Sequence, residues 1–270
     1  MDGNETAKSY QHGDHSTHNT AQEICFVAVL ENFVRSADIV QQTVLFPSVL
    51  MDLTVNSVLP SVSPNEIYLN EETDLRTFCL LVKSLKIQLT EGCSYIEDGI
   101  EENIQMRKKV KELCGQLRPL IRQAKYLGYA AEEIALSLKP ASFQEFTEHE
   151  MEHAFLYDDH STCNLRATLE TFLHEMDEME EEILFPSLLK SYSAADYGCN
   201  SNEGQTLNDL YVTLLQVKGA FLDSQGIHLE SVENSAFAQT VSQLKDVFYN
   251  YTIILDKLVA IYLQKVHEDC

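Results

Sequence analysis

Glycine and proline are scarce, at 10 and 6 in 270 residues. An all-β chain spends such residues at a turn every few positions, so the shortage leans towards helix. The 7 cysteines (Cys25, Cys79, Cys93, Cys114, Cys163, Cys199 and Cys270) make an odd count without regular spacing and form no Cys-x-x-Cys pair. That argues against a zinc ribbon or a thioredoxin-type motif. No stretch approaches the roughly 18 uninterrupted apolar residues of a membrane span. Basic side chains are also few: 19 Lys and Arg stand against 42 Asp and Glu, for a net charge of −23. A polyanion of that density is repelled by phosphate backbones and anionic leaflets, which disfavours general nucleic-acid or membrane binding. The opening stretch MDGNETAKSYQHGDHSTHNT lacks the apolar run of a signal peptide. The expectation is a cytoplasmic chain with reduced thiols.

What is present is a repeated pattern. Apolar residues make up 44% of the chain, ample for a sizeable core. LFPSVL at 45–50 returns as LFPSLL at 184–189. Upstream of the second copy, Leu165, Leu169, Phe172, Met176, Met179 and Ile183 follow the alternating spacing of a heptad seam. The positions 139 earlier hold Phe26, Leu30, Phe33, Ala37, Val40 and Val44, apolar throughout. Downstream, DLRTFCLLVK at 74–83 aligns with DLYVTLLQVK at 209–218 at an offset of 135. The seams there run Leu75, Phe78, Val82, Leu85, Leu89 and Leu207, Leu210, Leu214, Val217, Phe221. A third pair, offset by 131, sets Met106, Val110, Leu113, Leu117, Leu120, Ala124 and Leu127 against Phe237, Val241, Leu244, Phe248, Tyr251, Leu255 and Leu258. The changes of offset fall between helices, where loops absorb insertions.

The expected fold is all-α: two tandem three-helix units packed as a helical bundle, because each helix carries one stripe that needs a partner. The divisions are a disordered polar tail at 1–20, a first unit at 21–131, an acidic connector at 132–163 with a short helix after Pro140, and a second unit at 164–270. Two copies of one helical unit in a single chain point to an internal pseudo-dimer. Pro119 falls inside the third helix and predicts a kink there. In the repeated hexapeptide, proline disfavours α geometry at Phe46 and Phe185, so the first helix of each unit should end or bend at phenylalanine. Proline then suits the first position of a short turn beyond it. The result is an apolar corner that either closes the bundle or offers a docking surface.

Reactive centres are hard to assemble from this sequence. His174 and Glu178, four residues apart, share a helix face ahead of LFP, as in hemerythrin-like helices. Their counterparts 139 residues earlier are Arg35 and Ile39, so the repeated unit does not require a metal. Glu150 and His153 form a single Glu-x-x-His, where a diiron carboxylate bundle needs two such pairs. His12, His15 and His18 lie in the tail. His160 and Cys163 have no third group to orient them for nucleophilic chemistry. No catalytic residue, cofactor or metal ligand is assigned, and the chain reads as a binder.

At VQQTVLFPSVLMD and MEEEILFPSLLKS the sequence resembles the thyroid hormone-responsive Spot Fourteen and midline-one-interacting protein family. Met179, Glu180 and Glu181 stand where that family has a Met and an acidic pair before Pro186-Ser187-Leu188-Leu189. Asp209-Leu210-Tyr211, Val217-Lys218, Phe237 and Tyr262 resemble the landmarks of its second and third helices. After the corner the family has a basic–acidic pair, of which only Asp52 remains in one copy and Lys190 in the other. The resemblance implies a non-enzymatic regulator of lipogenesis that binds acetyl-CoA carboxylase or another family member and promotes carboxylase polymerisation. It also implies cytoplasmic and nuclear residence and, in one branch, a microtubule-associated partner. The interaction surface it points to comprises Phe46, Pro47, Ser48, Leu50 and Asp52, with Phe185, Pro186, Ser187, Leu189 and Lys190. The alternatives are a hemerythrin-like metal- or oxygen-binding bundle and a helical scaffold with a cytoskeletal partner.

Overall fold

The computed structural model describes residues 24–58, 69, 72–92, 101–137, 164–197, 204–223 and 232–268, with backbone alone at 101–103, 232–235 and 268. The tail histidines, Glu150, His153, His160, Cys163 and the connector helix after Pro140 lie outside these residues. The helices are α1 (Phe26–Thr43), the single turn α2 (Val55–Val58), α3 (Leu75–Thr90), α4 (Glu101–Ser137), α5 (Leu165–Glu182), α6 (Leu207–Leu222) and α7 (Val232–Glu268). Short 3₁₀ turns fill Pro47–Leu50, Pro186–Ser191 and Ala194–Tyr197. Among the described residues there is no strand, and the fold is all-α.

The seams are the reason these segments are helical and the reason they stay together. Every residue of the apolar seams that run through α1, α3, α5, α6 and α7 is buried. Burying one such side chain contributes about 1.5–3 kcal/mol, so a row of five or more outweighs the weak intrinsic preference of a short helix. α4 departs at one place, where Leu120 is only half-buried and Ile121 takes the core position. Both i+3 and i+4 steps from Leu117 reach the same face, and a heptad count cannot choose between them. α4 runs unbroken through Pro119. Pro119 and Gly115, whose carbonyl loses its donor there, are both exposed, so water can satisfy that carbonyl. The helix also continues past position 131 to Ser137, because Ala131 and Ile134 extend the buried stripe beyond Leu127.

The pairing of helices crosses the two halves. α1 lies along α7, and α5 lies along α4; these are the two most extensive packing interfaces. The first helix of each half therefore packs on the long helix of the other, and one continuous hydrophobic core runs through both. Rings mark the crossing. Phe33 of α1 sits 5.1 Å from Phe248 and 6.1 Å from Tyr251 of α7, centroid to centroid. Phe26 meets Phe221 edge-on at 5.4 Å, and Phe221 in turn meets Phe172 at 6.0 Å and Phe237 at 5.6 Å. Such offset and edge-on pairs add about 0.5–1.5 kcal/mol beyond area burial.

Equivalent elements recur with equal length: α1 and α5 have 18 residues, α3 and α6 have 16, α4 and α7 have 37. The second pair is offset by 132, since α3 starts at Leu75 and α6 at Leu207. This corrects the offset of 135 suggested by the shared Asp-Leu. Asp74 is the N-cap of α3, accepting from the Thr77 N–H at 2.8 Å. Asp209 is instead the third residue of α6, completing a capping box with the N-cap Thr206. The two halves have exchanged which partner of the cap carries the carboxylate. A shift of three residues nearly completes a helical turn, so the apolar stripe fits either alignment.

The polar clamps recur in the same register. Lys86 of α3 pairs with Asp38 of α1 and donates to Gln41 at 3.2 Å, while Lys218 of α6 pairs with Asp177 of α5 at 2.7 Å and also reaches Glu180. Exposed pairs of this kind are worth about 0–1 kcal/mol, so they set the register of helices more than their stability.

Candidate functional site: the proline corners

Each corner begins where α1 or α5 runs out. The last helical residues are Thr43 and Glu182, so both helices end before phenylalanine. The Val44 and Ile183 N–H groups close the helices onto Val40 and Met179, and in the tight turns beyond them Leu45 and Leu184 donate to Thr43 and Glu182 at 3.1 Å. Phe46 and Phe185 adopt φ −125° and −133° with ψ 79°, outside the helical region as the next residue, proline, requires. Proline opens a 3₁₀ turn in each case, and Val49 and Leu188 donate back to the phenylalanine carbonyls.

This geometry divides the motif into an inner and an outer set. Val44, Ile183, Leu50 and Leu189 are buried and anchor the corner. Leu50 and Leu189 are thus inaccessible as contact residues. Leu45 and Phe46 are 70% and 66% exposed, and Leu184 and Phe185 are 77% and 67% exposed. Ser48, Asp52, Ser187 and Lys190 are exposed, and Pro47 and Pro186 are intermediate. Leu45 and Met51 at the first corner, and Leu184 and Leu188 at the second, are exposed as well, although the sequence reading of the contact surface does not include them. Large side chains exposed in a group, as distinct from scattered singly, mark interaction surfaces.

Backbone bridges fix each corner to the next helix. Val55 donates to Thr73 and Leu75 to Leu53, at 2.9 and 2.8 Å. At the second corner Ala194 donates to Gln205 and Leu207 to Tyr192, at 2.9 and 3.0 Å. These short antiparallel bridges hold the exposed Leu-Phe pairs on a rigid frame.

Among the described residues, grooves open at the surface. One, of about 360 Å³, lies between α1 and α5. Leu30, Glu31 and Val34 on one wall face Leu169, Glu170 and Leu173 on the other, each pair 139 positions apart. The second, of about 230 Å³, lies at the second corner between Ala131, Ile134 and Ala135 of α4 and the turn from Glu182 to Leu189. Gly128 of α4 admits the Glu182 carboxylate, which a side chain at that position would strike. Burial, with smaller contributions from the charges of Glu132, Glu178 and Glu175, holds the Glu182 carboxyl above the usual carboxylate range. A raised folded-state pKa stabilises at low pH, and that contribution is lost as pH rises through it. Glu182→Gln should therefore melt slightly higher than the parent at pH 7, with the difference vanishing below the ordinary glutamate range; melting curves across pH read this directly.

Catalytic and metal candidates do not converge. His174 and Glu178 lie 3.3 Å apart on the outer face of α5, with side chains 68% and 57% exposed. Among the described residues no group of three or more His, Cys, Asp or Glu side chains could hold a metal ion. Burial, then the charge of Asp74, pushes the Cys79 thiol up to about 12, which suppresses the nucleophilic thiolate. No described helix is long and apolar enough to cross a membrane.

Residues 15–127 match the family described as thyroid hormone-inducible hepatic protein Spot 14. Over these residues the chain is similar to the Spot 14 family. The matched stretch takes in α1, the first proline corner, α3 and most of α4. The match supports a regulatory protein related to lipogenesis. No characterised protein and no solved structure gives a significant match to the chain.

Proposed function

We propose that this chain is a non-enzymatic regulator of lipogenesis that acts by protein–protein contact, binding acetyl-CoA carboxylase and promoting its polymerisation and activity. The observation that carries the reading is the Spot 14 match across the first half. The carboxylase itself comes from the family resemblance. The exposed Leu45–Phe46 and Leu184–Phe185 pairs are the contact surface in this reading, held outward by buried Val44, Leu50, Ile183 and Leu189. The two halves serve as an internal pseudo-dimer. Linking them in one chain gives an effective concentration of about millimolar, so pairing needs no second molecule. The setting is the cytoplasm, and also the nucleus.

Capture of acetyl-CoA carboxylase from a lipogenic-cell extract by the immobilised full chain tests this. Wild type should retain the enzyme and raise its activity. The double variant Leu184→Ser, Phe185→Ser should lose most of both while keeping its melting temperature, because the two side chains contribute little to the core. Wild-type protein that neither binds nor stimulates the carboxylase would remove the proposal.

A further inference from the structure

The two proline corners share a backbone but differ in what fills them. At the first, α7 lays Tyr262 against the turn; the side chain is buried, and its hydroxyl accepts the Phe46 N–H at 3.3 Å. Lys265, one turn on, donates to the Val49 carbonyl at 3.3 Å. α4 and α7 are both 37 residues long, so the position of Tyr262 is taken on α4 by Ala131, and that of Lys265 by Ile134. Ala131 offers neither a ring nor a hydroxyl to the Phe185 N–H, and Ile134 has no donor for the carbonyl of Leu188, the counterpart of Val49. The space left is the apolar groove of about 230 Å³. Its rim is acidic, with Glu182 lining it and Glu132 and Glu178 close by.

We propose that this groove is the docking site for a tyrosine carried on a basic segment of a partner protein. The incoming ring occupies the place that Tyr262 takes at the other corner, and its hydroxyl accepts from the Phe185 N–H. A neighbouring lysine or arginine answers the Leu188 carbonyl and the Glu182 rim, as a fork or ammonium does wherever carboxylates border an apolar slot. The net charge of −23 reinforces the choice of a basic partner, since acidic segments meet repulsion from the whole surface. This inference rests on the reading that the corners meet a partner, and narrows it to the second corner and to one side-chain chemistry.

The test is an NMR titration of the methyl-labelled full chain with L-tyrosinamide (a phenol bearing a cation) and in parallel with N-acetyl-L-tyrosine (a phenol bearing an anion). Tyrosinamide should shift the methyls of Ile134, Leu184 and Leu188, and the anion should shift them much less. Ala131→Tyr plugs the groove as Tyr262 does and should abolish the shifts. Ile134→Lys places a cation at the rim and should weaken them, which keeps the test open if Ala131→Tyr folds poorly. Tyr262→Ala should open a second groove and add shifts at Val44, Leu45 and Val49. Absent shifts in wild type, as when the chain's own residues fill the groove, overturn the proposal, and so do shifts that survive both α4 variants. Carboxylase capture is a separate readout: its failure with the shifts intact removes the enzyme as partner and leaves the groove, while lost shifts with capture intact remove the groove alone.

Discussion

Phe33→Ala lowers the free energy of unfolding by about 3–5 kcal/mol, the range found for deleting a buried aromatic ring. The ring of Phe33 has no exposed surface and lies between Phe248 and Tyr251. Tyr251 itself packs edge-on against Phe78 at 5.2 Å, so the cavity opens where α1, α3 and α7 meet. Collapse into that space is limited, because rings fixed on three helices cannot all move inward together. Against a typical stability of about 5–15 kcal/mol, the loss is large enough to read from the denaturation midpoint with the slope unchanged. A near-wild-type midpoint would show that α1 does not bury its stripe on α7.

Separating the halves should be more damaging than any point substitution. Cleavage confined to residues 138–163, for example at an inserted protease site, leaves α1–α4 on one fragment and α5–α7 on the other. α1 then has its principal partner on the other fragment, and so has α5. Each isolated fragment exposes the seam of its first helix and the facing stripe of its long helix, so neither should show a cooperative melt at micromolar concentration. Mixed fragments should restore one as a one-to-one complex, with a midpoint that rises with concentration because the association is now bimolecular. Two fragments that melt cooperatively on their own would mean that the halves are separate bundles.

The sequence was most informative where the physics is periodic. Heptad spacing located the long helices and nearly all of the core, since an apolar stripe has no other stable use in water. It faltered where two placements satisfy the same stripe, as with Leu120 and Ile121, or with Asp74 and Asp209. In the second case the deciding fact was a cap, and caps can swap their donor and acceptor residues without changing the helix. Which helix packs on which could not be read from the stripes, because the seams of α4 and α7 accept either first helix. The proline corner was legible as a break, yet its inner and outer faces depended on the turn at Val44 and Ile183, which end the helix earlier than proline alone demands. The groove beside Ala131 was least visible: small residues on α4 acquire meaning only when Tyr262 is seen to fill the equivalent place.

Each half lends its first helix to the other, and nuclear Overhauser contacts from the ring protons of Phe33 measure that exchange most directly. The sample is selectively labelled full-length protein at a concentration where it is a single chain. Cross-peaks to Phe248 and Tyr251, from rings at 5.1 and 6.1 Å, are the predicted result. Cross-peaks from Phe33 confined to residues of its own half would contradict it.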